Sequence, residues 1–104
     1  MQVALLHKHY NQEHLEQVKA EMVKLGSPTV RAIWSEMYGF WLAVEGSHRL
    51  RAAEELGISP KIDDISDDDT VMIQVDGDDE RVAVIDLLEE LQDNARHSVT
   101  LSFD

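Results

Sequence analysis

The chain lacks cysteine altogether, which excludes disulfide bonds, thiol catalysis and zinc sites built from cysteine. Its 104 residues contain no apolar run near the length of a membrane span, so we expect no membrane partner. The N-terminus has no signal-peptide pattern, and we therefore expect a cytoplasmic protein. With only two prolines and no linker-like segment, residues 1–104 are predicted to form one domain around one core.

Basic residues are also scarce, with nine against 21 acids and a net charge of −12. Residues 1–61 are balanced, whereas residues 62–104 hold fourteen acids and only Arg81 and Arg96 as bases. A partner of this acidic C-terminal part should be cationic, such as a basic protein surface or a metal ion, because DNA would be repelled. The acids otherwise form a solvated surface, a weak site for divalent cations, or a decoy that imitates DNA phosphates.

Hydrophobic periodicity and turn residues predict the order of helices and strands. Strands are expected over residues 3–6, 29–34, 40–44, 71–75 and 99–103, and helices over about 12–25, 48–56 and 80–95. A weak strand or extended segment is expected to begin at Ile62. The strands at 29–34 and 40–44 flank a turn-like segment and should form a hairpin. Residues 63–69 are predicted to be a hydrophilic loop, and residues 76–79 a turn leading into the last helix.

The most informative segment is residues 44–57, where an apolar strand is followed by a glycine turn and a helix. Gly46 turns the chain, Ser47 is predicted to be the N-cap, and His48, Arg49 and Arg51 fall in the first helical turn. The N-terminal amides of a helix already carry partial positive charge, so cations are unfavourable there unless an anion binds. The pattern therefore favours a phosphate site. The alternative is that these cations pair with nearby acids and hold the helix in place.

Three further sets of residues are candidates for chemistry. Glu45, just before the turn, would act as a base or hold a metal on the phosphate, or else pair with Arg51. His7 and His9 lie two apart in a possible strand end and are candidate metal ligands, with His14 nearby, or else face solvent. The aromatic residues around the hairpin either stack a base or serve as core or as a dimer contact; they are Trp34, Tyr38, Phe40 and Trp41.

The strand–Gly-x-x-Arg–helix unit, with Arg49, Ala52 and Ala53 in place, resembles the N-terminal domain of the ParB chromosome-partitioning proteins. It is also similar to sulfiredoxin, which shares that fold. The similarity covers about residues 3–62, including a helix, a glycine and a Pro-led strand upstream. The resemblance implies an α/β (α+β) fold with a small mixed sheet and about three helices. It also implies that the glycine turn and the helix start bind nucleotide phosphates.

Departures from the two families narrow what the resemblance implies. Ser47 stands where sulfiredoxin has its catalytic cysteine, so sulfinic acid reductase activity is not expected. Glu90 and Asp93 replace an asparagine and an arginine of a ParB helix that helps to bind the triphosphate, which weighs against CTP binding in the ParB manner. The chain ends before any helix-turn-helix domain, so sequence-specific DNA binding is not expected.

Two functions are therefore predicted. The first is a nucleotide-phosphate-binding module for ATP or CTP with Mg²⁺, with hydrolase, nuclease or kinase activity assisted by Glu45. In it, Gly46 and Ser47 supply backbone amides, and the cations of the first helical turn neutralise phosphates. The alternative is a non-catalytic interaction protein whose residues 62–104 bind a basic partner, as an inhibitor or a nucleic-acid mimic.

Overall fold

The computed structural model describes residues 1–104, which form three helices and seven strands. The helices are α1 (Gln12–Leu25), α2 (Ser47–Leu56) and α3 (Val84–Ala95). The strands are β1 (Gln2–Ala4), β2 (Thr29–Ser35), β3 (Phe40–Ala43), β4 (Lys61–Asp64), β5 (Thr70–Val75), β6 (Asp78–Ala83) and β7 (Thr100–Ser102). The mixed α+β fold with three helices is confirmed. None of these helices combines the length and the apolar character that a bilayer span requires.

Five strands form one mixed sheet in the order β4-β2-β3-β1-β7, and β5 and β6 form a separate two-stranded sheet. Strands β2 and β3 pair antiparallel, which confirms the predicted hairpin. Strands β1 and β3 are parallel, as are β2 and β4, and each parallel pair is connected through one helix and one strand of opposite direction. The last strand, β7, pairs antiparallel with β1.

The large sheet separates two groups of buried apolar side chains. Successive strand residues point to opposite faces, so Val3 packs with the helices α1 and α2, whereas Ala4 packs with α3. The first face buries Leu15 of α1 and Leu50 of α2. The second face is covered by α3 and by the β5–β6 hairpin. The sheet thus divides the predicted single core into two layers.

The predicted helix over residues 80–95 is wrong at its start, because residues 78–83 form β6 and α3 begins at Val84. Asp76 and Gly77 have φ angles of 52° and 86°. These left-handed values belong to a two-residue hairpin turn that matches the twist of the flanking strands. The turn folds β6 back along β5, with Thr70 opposite Ala83. The acids after the turn therefore belong to a strand.

The predicted loop over residues 63–69 is also wrong at its start. Strand β4 extends to Asp64 and pairs with β2, where Asp64 lies opposite Ala32. Ile65, the next residue, is buried and donates its backbone N–H to the carbonyl of Ala32 at 3.1 Å. Backbone pairing with β2 therefore holds this acidic segment against the sheet at its first residues.

Candidate phosphate-binding cleft

The turn between β3 and α2 requires a glycine at position 46. Gly46 has φ 75° and ψ 30°, a left-handed conformation that side chains disfavour. A Cβ atom there would lie 2.8 Å from Cγ1 of Val30 and 3.2 Å from Nη2 of Arg49. The missing side chain lets β2 and the guanidinium of Arg49 approach the backbone of the turn.

The N-terminus of α2 has no side-chain cap. The prediction of Ser47 as N-cap is wrong, since Gly46 occupies the cap position and Ser47 is the first helical residue, 8% exposed. The first intrahelical bond runs from the N–H of Leu50 to the carbonyl of Gly46 at 2.8 Å. No acid stands in the first turn either. The positive end of the helix dipole is therefore uncompensated from within α2.

This helix end opens into a cleft of about 700 Å³ between α2, α1 and the segment that follows α1. Four of the five predicted phosphate-binding residues line the cleft together, namely Gly46, Ser47, His48 and Arg49. Its other polar lining includes His7, His14, Ser27, Glu21 and Glu45. The cleft therefore brings together cationic, neutral and anionic side chains around one helix end.

Arg49 is the principal cation of the cleft, with 43% of its side chain exposed. Its Nη1 donates to the carbonyl oxygen of Thr29 at 3.1 Å, which fixes the side chain against β2. Its Nη2 lies 3.9 Å from Oε2 of Glu45, at the limit of an ion pair. Because Nη2 makes no closer contact with an acid, the guanidinium keeps donor capacity for a ligand.

Glu45 forms a two-pronged ion pair with Arg31, a residue that the sequence analysis did not single out. Nη2 of Arg31 donates to Oε1 at 2.8 Å, and Nε donates to Oε2 at 3.1 Å. The hydrogen bonds from Arg31 and its charge, with a smaller contribution from Arg49, hold the pKa of Glu45 below its ordinary value. A lowered pKa makes this carboxylate a weaker proton acceptor than an ordinary glutamate.

His48 lines the cleft as a neutral imidazole. The backbone N–H of Asn11 donates to its Nε2 at 3.0 Å, so the ring proton is on Nδ1. Burial, followed by the charges of His14, His7 and Arg51, lowers the pKa of His48 below its ordinary value. The predicted role of His48 as a cation that neutralises phosphate charge is therefore not supported by its surroundings.

Two of the predicted site residues do not join the cleft. Arg51 points away: its Nη2 donates to the carbonyl of Lys8 at 2.9 Å, and its guanidinium carbon lies 4.3 Å from the ring centroid of Tyr10. His9 is absent from the lining, whereas its neighbour in the metal prediction, His7, is part of it. No three His, Asp or Glu side chains are grouped so that they could hold a metal ion.

The acids of residues 62–104 are organised quite differently from those of the cleft. All fourteen are exposed, and none of them takes part in a salt bridge. The two bases of this part contact neutral groups instead, since Arg81 donates to the hydroxyl of Thr70 and Arg96 to that of Tyr38. No close ion pair therefore offsets the negative charge of this part.

Comparison of the chain with protein-family models, curated proteins and solved structures gives no match.

Proposed function

We propose that the chain is a binding module for a phosphorylated small molecule, such as a nucleotide, held at the N-terminus of α2. The observation that carries the proposal is an uncapped helix end that opens, beside Arg49, into a cleft of about 700 Å³. This volume falls within the usual range for sites that enclose small ligands, roughly 300–1,000 Å³. Helix N-termini with a neighbouring arginine are common phosphate sites.

The proposed contacts differ in kind. The backbone amides of Ser47 and His48 would donate to phosphate oxygens, with Gly46 allowing close approach to the turn. Arg49 would supply the positive charge. The resemblance of this segment to the ParB and sulfiredoxin turn, which rests on Gly46 and Arg49, points to the same site.

A role for Mg²⁺ on Glu45 does not fit the arrangement of its side chain. Magnesium takes carboxylate oxygens as ligands, but both oxygens of Glu45 accept hydrogen bonds from Arg31. The second acid in the lining, Glu21, lies on α1 and has no hydrogen bond or salt bridge that would orient it towards Glu45. We therefore propose binding of the phosphorylated ligand and no chemical step.

Titration calorimetry with ATP, CTP, ADP and inorganic phosphate, each with and without Mg²⁺, tests the proposal. Arg49→Ala should weaken binding by about tenfold or more, because a hydrogen-bonded charge pair is lost. Arg51→Ala is the matched control, since it removes the same charge from the same helix but outside the cleft. The proposal fails if no ligand gives heat at millimolar concentration, or if both variants weaken binding equally.

The exposed acids favour a second proposed function, in which residues 62–104 bind a basic partner protein. Fourteen exposed acids without an internal salt bridge give this part a negative potential that a cationic protein surface would complement. Such an interaction protein would inhibit its partner or imitate a nucleic acid. Binding of a basic partner should be released by about 1 M salt, and a complex retained fully there would contradict charge as its driver.

A further inference from the structure

The only two tryptophans of the chain lie side by side near the turn of the β2–β3 hairpin. Trp34 and Trp41 are partners across these strands, and their rings meet edge to face with centroids 5.2 Å apart. Trp34 remains 40% exposed, and Met37 in the adjoining turn is 66% exposed. Large apolar side chains that stay exposed as a group mark a surface used for contact.

These three side chains line a groove of about 750 Å³, which we call the tryptophan groove. The remaining lining consists of Glu36, Asp64, Ser66, Asp67, Leu88 and Gln92. Its three acids are exposed and form no salt bridge, and no base lines the groove. The tryptophan groove therefore combines aromatic rings with negative charge that nothing in the molecule offsets.

The acidic side of the groove is fixed in place rather than loose. The backbone N–H of Trp34 donates to Oγ of Ser66 at 2.9 Å, which ties the acidic segment to β2. The N–H of Ser66 in turn donates to Oδ1 of Asp64, also at 2.9 Å. These two bonds order the carboxylate of Asp64 beside the tryptophans, so less side-chain entropy is lost when a ligand binds.

An arginine side chain matches this combination better than other ligands that stack on tryptophan. Its planar guanidinium lies on aromatic faces and donates to carboxylates at the same time. A nucleic-acid base would also stack, but its phosphates would be repelled by three acids and by the −12 net charge. A second copy of this chain would bring the same negative charge to the groove.

We propose that the tryptophan groove binds an arginine presented by a basic segment of a partner protein. The guanidinium lies against Trp34 and Trp41, and the carboxylates of Asp64 and Asp67 receive its N–H groups. The alkyl part of the arginine covers Met37 and Leu88. The inference deepens the second proposed function and rests on it, because it identifies where the basic partner is anchored.

Tryptophan fluorescence tests this directly, because both tryptophans of the chain line the groove. Hexa-arginine, titrated at about 50 mM salt, should change the emission in a saturable way. Hexa-glutamate should leave the emission unchanged. The dissociation constant for hexa-arginine should rise at about 0.5 M salt.

Two double variants that remove the same charge separate the groove from the acidic surface as a whole. Asp64→Asn with Asp67→Asn removes acids of the groove, and asparagine at position 64 still accepts the bond from Ser66. Asp78→Asn with Asp79→Asn removes acids of β6, outside the groove. The groove variant should raise the dissociation constant about tenfold, and the β6 variant less than about threefold.

Each other outcome contradicts the proposal in a distinguishable way. Equal weakening by both double variants would leave a basic partner on the acidic surface but remove the groove as its anchor. Absence of any hexa-arginine binding, measured by calorimetry, would contradict both the groove and the second proposed function. A concentration-dependent emission change without peptide would show that a second copy covers the groove.

Trp34→Ala, at an exposed position, should also raise the dissociation constant about tenfold, and unchanged binding would overturn the proposal.

Discussion

Residues 1–61 and residues 62–104 use their charged side chains in opposite ways. Every salt bridge of the structure lies within the first part, which includes the pair between Arg31 and Glu45. The acids of the second part are all exposed, and none of them forms a salt bridge. The first part therefore uses charges to position its own side chains, and the second part leaves them for solvent or a partner.

The difference has a simple physical origin. A half-buried carboxylate such as Glu45 loses part of its hydration, and only a close cation offsets that loss. An exposed aspartate keeps its hydration, so pairing would contribute little to stability. Charges near the cleft are consequently fixed in geometry, whereas the acidic part acts through its summed potential, which salt screens.

The largest expected effect concerns two of the glycines with positive φ, Gly46 from the first part and Gly77 from the second. Gly46→Ala should lower the free energy of unfolding by about 2–4 kcal/mol, because strain at positive φ adds to a contact of 2.8 Å with Val30. Gly77→Ala should cost only about 1–2 kcal/mol, because a Cβ there meets nothing within 4 Å. Urea denaturation followed by circular dichroism measures both variants.

Equal losses for the two glycine variants would contradict the claim that the turn at position 46 is tightly packed. Phosphate binding gives a second readout. Gly46→Ala should weaken it even where the protein remains folded, since the added carbon lies near Arg49. Gly77→Ala should leave ligand binding unchanged.

Much of the fold could be predicted from the sequence, because its regular elements obey simple periodicity. Helix α1 begins and ends where predicted, with the side chain of Asn11 accepting the N–H of His14 as its cap. The structure of the acidic segments was harder to predict. The Asp76-Gly77 pair is a hairpin signal, but the acids after it also suit a helix start, and pairing with β5 decided between them. The burial of Ile65 could not be predicted from its acidic neighbours, because it depends on the pairing of β4 with β2.

The candidate site was predicted in its backbone but only in part in its side chains. A glycine turn before a helix is a local feature, so Gly46 and Arg49 could be found from the sequence. Which partner each charge takes depends on neighbours distant in the chain. The pair of Arg31 with Glu45 joins β2 to the segment after β3, and its one sequence signal is a lone cation inside an apolar strand.

The next effect in size is loss of the pair between Arg31 and Glu45. Arg31→Met should lower the free energy of unfolding by about 1–2 kcal/mol near neutral pH, because Glu45 stays half-buried without its partner. Arg81→Met, the control in the acidic part, removes only an exposed bond to Thr70. It should change stability by less than about 0.5 kcal/mol. Similar losses of stability in the two variants would contradict the proposed difference between the two parts.

The pH dependence of the Arg31→Met effect follows from the lowered pKa of Glu45. A carboxylate with a lowered folded-state pKa contributes stability above its ordinary value of 4.5, and this contribution is lost as the pH falls through the lowered value. The stability difference between wild type and Arg31→Met should therefore shrink between about pH 6 and about pH 3. A difference that stays constant over this range would mean that Arg31 acts through packing.

The smallest expected effect is the most direct test of the contrast, because only the second part should gain stability when acids are removed. Asp78→Asn with Asp79→Asn should raise the free energy of unfolding by a few tenths of a kcal/mol at low salt, since it relieves repulsion among unpaired acids. Glu16→Gln with Glu55→Gln removes the same charge from the first part. It deprives Lys19 of both partners, at 3.6 Å and 4.0 Å, and should leave stability unchanged or slightly reduced. Urea denaturation at about 20 mM and about 0.5 M salt should show the first gain disappearing as screening increases, and a gain that persists would exclude repulsion as its cause.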